Sequence, residues 1–132
     1  MAHQYGVTLN NARLDQIETT IGTSPKLQLL TGAAPANCAA ASTGSTVCVL
    51  TLPSDWMAAA NASAKAKTGT WSGTATAGGT IGYYRIFDSG TTTCHIQGSV
   101  STSGAELNFD NNVVLVNQVI TISTYTITAA NQ

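Results

Sequence analysis

At 132 residues the chain is the size of one domain, long enough to bury about two thirds of its unfolded surface. Charged residues make up only 8% and the formal net charge is −1, which gives neither nucleic acid nor an anionic membrane anything to bind electrostatically. A surface of Thr, Ser, Ala, Gly and Asn with so little repulsion favours association, and points to a protein that works inside an assembly.

Hydrophobic residues reach 43%, much of it alanine, and aromatics 6%, so a thin core of Val, Ile, Leu and Thr methyl groups is expected. No apolar run approaches the roughly 20 residues of a membrane-spanning helix. The opening MAHQYGVTLNN lacks a basic segment followed by an apolar one, so no signal peptide is expected. Three cysteines, Cys38, Cys48 and Cys94, cannot all pair within one chain. Cys38 and Cys48 could close a small loop, but in a reducing cytoplasm the expectation is three reduced, structural thiols.

In chain order, Asn10 or Asn11 is a candidate helix cap. Leu14, Ile17 and Ile21 then recur at helical spacing, and Gly22 is the stop. Arg13, Asp15 and Glu18 fall on the other side of this helix. At about a dozen residues it is too short to stand alone, so its apolar stripe must dock, either on the chain's own sheet or on a neighbouring subunit. Ser24 and Pro25 mark a boundary, which divides the chain into an N-terminal arm (1–24) and a β domain (25–132).

Residues 26–31 read as a first strand and 32–45 as a long loop, a length that in compact domains is functional or loosely ordered. Residues 46–52 form a strand stopped by Pro53. Ser54 caps a predicted short helix over 54–62, with Trp56 and Met57 as its apolar contacts. Lys65 and Lys67 sit on alternate positions of 62–68, where they would discourage pairing at a sheet edge. Residues 69–77 form a strand carrying Trp71.

Residues 80–100 predict a hairpin that centres the fold. Ile81, Tyr83, Arg85 and Phe87 share one face, and Tyr84, Ile86 and Asp88 the other. Asp88, Ser89 and Gly90 supply the turn, with the glycine taking positive φ. Residues 105–110 and 113–116 are short strands, and 119–128, dense in β-branched residues, closes the fold. Seven to eight antiparallel strands with a short N-terminal helix make a mainly β protein, a β-sandwich or jelly roll.

Chemistry is sparse. Cys94 and His95 are adjacent and point to opposite faces of a strand, so they do not converge on a metal ion. His95 and Asp88 could approach across the hairpin, but no nucleophile elbow, paired carboxylates or phosphate loop accompanies them. No catalytic residue, cofactor or metal site is expected. An aromatic glycan platform from Trp56 and Tyr84 competes with the same side chains serving as core.

The strings NARLDQIETTIG, PANCAAA, LTLPSDWMAAA and GYYRIFDSGTTTCHIQGSV resemble a family of short virion-associated structural proteins of tailed bacteriophages. The resemblance implies a virion protein assembled in the host cytoplasm, with a capsid decoration or cement role fitting best. Its implied partners are the major capsid protein of the same phage and further copies of itself, as dimer or trimer. The alternatives are a neck, tail or fibre-attachment component, or a glycan- or host-receptor-binding module. Leu14, Ile17 and Ile21, with Arg13 beside them, are the expected partner contact.

Overall fold

The computed structural model describes residues 3–105, 107–109 and 111–129. One helix, α1 (Val7–Ile21), precedes ten strands: β1 (Lys26–Thr31), β2 (Thr46–Thr51), β3 (Ala64–Ala66), β4 (Trp71–Thr74), β5 (Gly79–Phe87), β6 (Cys94–Ser101), β7 (Leu107–Asn108), β8 (Val113–Val114), β9 (Val119–Ile122) and β10 (Thr126–Thr128). The protein is mainly β with a single N-terminal helix among the described residues. Ten strands stand where seven or eight were expected, in part because the run 119–128 divides at Ser123 to Tyr125 between two different ladders. Of the predicted strand 105–110, Glu106 and Asp110 lie outside the described residues.

The main sheet runs β2-β1-β5-β6-β7, with β8 pairing the start of β5; β3 pairs β10 and β4 pairs β9 in two-stranded ladders. The pairing of β6 with β7 is parallel; the others are antiparallel. β5 and β6 form the expected hairpin, and β5 holds the middle of the sheet with β1 on its other side. Its turn is set by Asp88, whose Oδ1 accepts from the Thr92 and Thr93 N–H groups at 2.6 and 3.2 Å. The positive φ falls on Thr91 (57°) instead of on Gly90, because these bonds and the Thr91 N–H to Asp88 O bond fix the chain one residue later.

A single apolar cluster gathers Leu27, Leu29, Leu50, Trp71, Tyr84, Ile86, Ile120 and Ile122 with others from nearly every strand, and Ile21 from the helix. An aromatic row threads it: Trp56 to Trp71 at 6.0 Å, Trp71 to Tyr125 at 5.5 Å, and Tyr125 edge-on to Tyr84 at 5.7 Å between ring centres. Such tilted pairs add to the burial of large rings.

The two faces of β5 do not alternate as simply as the sequence implied. Leu30 opposes Tyr83 while the next β1 residue, Thr31, opposes Ile81, so Gly82 is an extra residue in β5. This bulge turns Ile81 into the core beside Tyr84 and Ile86, whereas Tyr83 and Arg85 point to the other face. Gly82 is required there: a Cβ would lie 1.9 Å from the Gly32 carbonyl oxygen.

The other face is also covered. The 32–45 loop folds back over it, its neck closed by Thr31 N–H to Ser45 O at 3.0 Å and Ser45 N–H to Thr31 Oγ1 at 2.9 Å. The loop is therefore held, not loose, and β5 is buried on both sides.

The predicted helix over 54–62 is absent. Ala58 N–H donates to Ala66 O at 2.8 Å, Met57 bridges Lys67, and Asn61 and Ala64 exchange bonds across a turn. Pairing with the following segment meets the backbone groups that a helix would have met, and this tertiary partner overrides the alanines' helical preference. Trp56 and Met57 are buried, as expected. α1 starts earlier than Asn10, with Gly6 as its N-cap and no side-chain capping bond, and stops at Gly22 (φ 90°).

Candidate functional site

Three neighbourhoods gather the side chains with chemical capacity. The first lies where α1 meets β3. Asp15 and Glu18, one turn apart on the helix, face Lys65, which sits in the middle of a three-residue strand. Lys65 Nζ donates to Asp15 Oδ1 at 2.7 Å, to Glu18 Oε2 at 3.0 Å and to Ala58 O at 2.8 Å. An ammonium has three N–H donors, so Lys65 is saturated. Burial pulls its pKa down, but the bonds to Asp15 and then Glu18 outweigh burial and leave it raised. Asp15 is lowered, first by Lys65 and then by the Ala60 N–H. An open cleft of about 700 Å³ adjoins this cluster, lined also by Thr19, Ser54, Asp55 and Thr68. A lysine kept charged and fully bonded is no nucleophile; the cluster pins the helix.

The asparagines proposed as caps join the same pin. Asn10 is buried and its Nδ2 donates to Ser63 Oγ and Tyr5 O, both at 3.3 Å, while Asn11 Oδ1 accepts from the Ser63 N–H at 3.0 Å. Ala62 and Ser63 both take positive φ (51° and 62°) in the turn before β3, a cost these bonds help to hold.

The second neighbourhood is the loop clamp. Arg85 is 2% exposed, and its Nη2 donates to Asn37 O and Ala40 O at 2.9 Å each. Nη1 donates to Ser42 Oγ at 2.9 Å, and Nε and Nη2 share Gln97 Oε1 at 3.1 and 3.0 Å. Tyr83 hydroxyl accepts from the Thr43 N–H at 2.9 Å and donates to Thr43 O. The planar guanidinium suits this fork of acceptors.

The third is the β8–β9 turn. Gln118 N–H donates to Leu115 O at 3.1 Å, Gln118 Oε1 accepts from Leu115 N–H at 3.0 Å, and Asn117 takes φ 70°. This geometry turns the side chains outward. Val113, Leu115, Val116 and Val119 are 49%, 71%, 55% and 65% exposed. Four of the chain's large exposed hydrophobics thus fall within seven residues, beside a concavity of about 250 Å³ lined by Ile81, Phe109, Val114 and Ile120.

The residues singled out from sequence divide differently. Leu14 and Ile21 are buried, and Ile17 is partly buried against the core. The helix stripe is therefore spent on the chain itself, and the expected partner contact through these three would require the helix to undock. The charged side also docks, through Asp15 and Glu18. Arg13 is exposed, stacks on Tyr5 at 4.8 Å and lines a groove with Gln16, Ile17 and His95. Trp56 and Tyr84 offer no glycan platform. Both are at most 2% exposed, Trp56 Nε1 donates to Gly22 O at 3.0 Å, and the Tyr84 and Tyr125 hydroxyls bond at 2.8 Å.

Lys65, read from sequence as a charge discouraging pairing at a sheet edge, is instead buried in a paired strand, and sequence reasoning gave no role to Arg85 or the turn. A lone cation between aromatic neighbours in a strand was the available signal for Arg85. The paired acids on one helix turn were the signal for Lys65.

No group of three or more His, Cys, Asp or Glu among the described residues is placed to hold a metal ion. Asp88 is lowered mainly by the Thr92 and Thr93 N–H bonds, with His95 a smaller influence, so that aspartate serves its turn. No protein-family model matches the chain, and no curated protein or solved structure matches it.

Proposed function

We propose that the protein is a structural component of a tailed-bacteriophage virion, a decoration (cement) protein bound to the outside of the head shell through the β8–β9 turn. The observation that carries this reading is the run of exposed apolar side chains at Val113, Leu115, Val116 and Val119 on a chain with very few charges. Clustered exposed hydrocarbon marks a surface that meets a partner. In the other two neighbourhoods the buried cations, Lys65 and Arg85, are bonded to groups of the chain itself. The resemblance of the sequence strings to virion-associated proteins supplies the partner, the major capsid protein of the same phage, with self-association as dimer or trimer. Many weak symmetric contacts then add to a firm hold on the shell.

The finer architecture belongs to the same proposal. Trp71, Ile120 and Ile122 of the β4–β9 ladder share one cluster with Leu29, Leu50 and Tyr84 of the main sheet, which supports a second layer packed across the first, as in a β-sandwich or jelly roll.

The test is the copy number of this protein in purified particles of the phage that encodes it, relative to the shell subunit. Hundreds of copies in a simple ratio are expected. About a dozen or fewer would place it at the neck, tail or fibres, where rings of low symmetry sit, and would retire the cement reading.

A further inference from the structure

The 32–45 loop and β6 each bring a cysteine to the same place, and neither is used by the reading above. Gln97 Nε2 donates to Pro35 O at 2.8 Å, and Arg85 Nη2 to Asn37 O and Ala40 O at 2.9 Å. These bonds bracket Cys38 on both sides, and Arg85 also reaches Cys38 O at 3.5 Å. Cys94 opens β6 in register with Phe87, its Sγ 3.5 Å from Ile96 O, and the Cys38 thiol is near enough to act on the Cys94 thiol and raise its pKa. Both cysteines are free and half-buried, whereas Cys48 is buried in the core cluster on β2. The loop thus holds Cys38 against Cys94 and leaves Cys48 alone.

We propose that Cys38 and Cys94 form a redox-closable clip, joined as a disulfide under oxidising conditions so that the 32–45 loop is fastened covalently to β6, and open under reducing ones. With a small-molecule disulfide such as oxidised glutathione as oxidant, one cysteine thiolate attacks a glutathione sulfur. A mixed disulfide forms and one glutathione thiolate leaves. The second cysteine thiolate then attacks the protein sulfur of that mixed disulfide, forming the Cys38–Cys94 bond and expelling the second glutathione. Two protein thiols are oxidised, one glutathione disulfide is reduced to two thiols, and the two protein protons pass to the departing thiolates. Burial, and after it the Cys38 thiol, pushes the Cys94 thiol up to about 12. Closure is therefore slow near neutral pH and quickens as pH rises, because the thiolate is the attacking species.

The inference rests on the loop geometry and needs nothing from the virion reading. The test uses the full-length native protein, incubated with oxidised glutathione at alkaline pH, then alkylated and mapped by non-reducing mass spectrometry. The expected result is a Cys38–Cys94 linked peptide, Cys48 still alkylatable after unfolding, and a Tm raised by on the order of 10 °C. Dithiothreitol should reverse the rise. Cys38→Ser and, separately, Cys94→Ala should keep the Tm of the reduced wild type and show no gain with oxidant. Three free thiols after oxidation, unresolved glutathione adducts, a link through Cys48 or between molecules, or a correct link without a Tm gain would each overturn the clip.

Discussion

Around α1 and the 32–45 loop the chain puts charge inside: Lys65 and Arg85 are 1% and 2% exposed. Around the β8–β9 turn it puts hydrocarbon outside, with Leu115 71% exposed. With only five basic and six acidic residues, committing two cations to the interior is a large share of the chain's charge. The two regions teach opposite lessons. Where charge is buried, the Lys65 ammonium and the Arg85 guanidinium are bonded to acceptors on the same chain, which fixes the fold. Where hydrocarbon is exposed, the backbone bonds of the turn are made but its side chains remain in water, and covering them stabilises whatever complex does so.

The first way to break this contrast is at the root of the clamped loop. Gly82→Ala should cost about 3 kcal/mol or more, because the new Cβ meets the Gly32 carbonyl, a backbone atom that cannot rotate away; denaturant unfolding reads the loss. Next, Arg85→Met should cost about 2–3 kcal/mol by taking the guanidinium from the Ala40 carbonyl, the Ser42 hydroxyl and the Asn37 carbonyl, the last of which keeps only the Ala40 N–H. The loss should be local first, with hydrogen exchange and proteolysis quickening across 32–45 before the sheet responds.

The helix pin gives a smaller effect and a pH signature. Lys65→Met should cost about 2 kcal/mol, below the value for a fully buried pair because Asp15 and Glu18 are partly exposed and screened. Asp15 lies below its usual 3.8, so its contribution is present above that value and fades as pH falls through the folded value. Lys65 ends above its usual 10.5, so its contribution is present below that value and fades as pH rises through the folded one. Thermal melts of wild type should decline on both limbs. Lys65→Met should lose only its own share of the alkaline decline, since the raised Cys48 and Cys94 thiols also weaken the fold as pH climbs past their usual 9.0. It should keep part of the acid one, since Asp88 is also lowered by its turn bonds.

The smallest stability change belongs to the apolar turn. Leu115→Ser with Val116→Ser should shift Tm by no more than about 2 °C while reducing self-association at high concentration, read by sedimentation.

Much of the fold was legible because it rests on local pattern. The β5–β6 hairpin, β1, β2 and the Gly22 stop follow from alternation, turn residues and a glycine in place. What failed depended on partners far along the chain. The 54–62 segment has helical propensity, but residues 64–68 supply its hydrogen bonds. Asn10 and Asn11 look like caps, but Ser63, some fifty positions away, takes their side chains. A strict two-residue period hid the Gly82 bulge. At the candidate site, alternation placed Val113, Leu115 and Val119 in strands without telling which side faces water, and nothing in a single chain marks a face that is left bare.

The account's central claim is that the bare turn, not the docked helix, meets the shell. Its most direct test compares wild type with Leu115→Asp/Val119→Asp for binding to phage heads stripped of this protein, with the Tm of each measured alongside. A variant that keeps its Tm within about 2 °C and no longer binds is the predicted result. Binding retained at the wild-type level by a folded variant would contradict it.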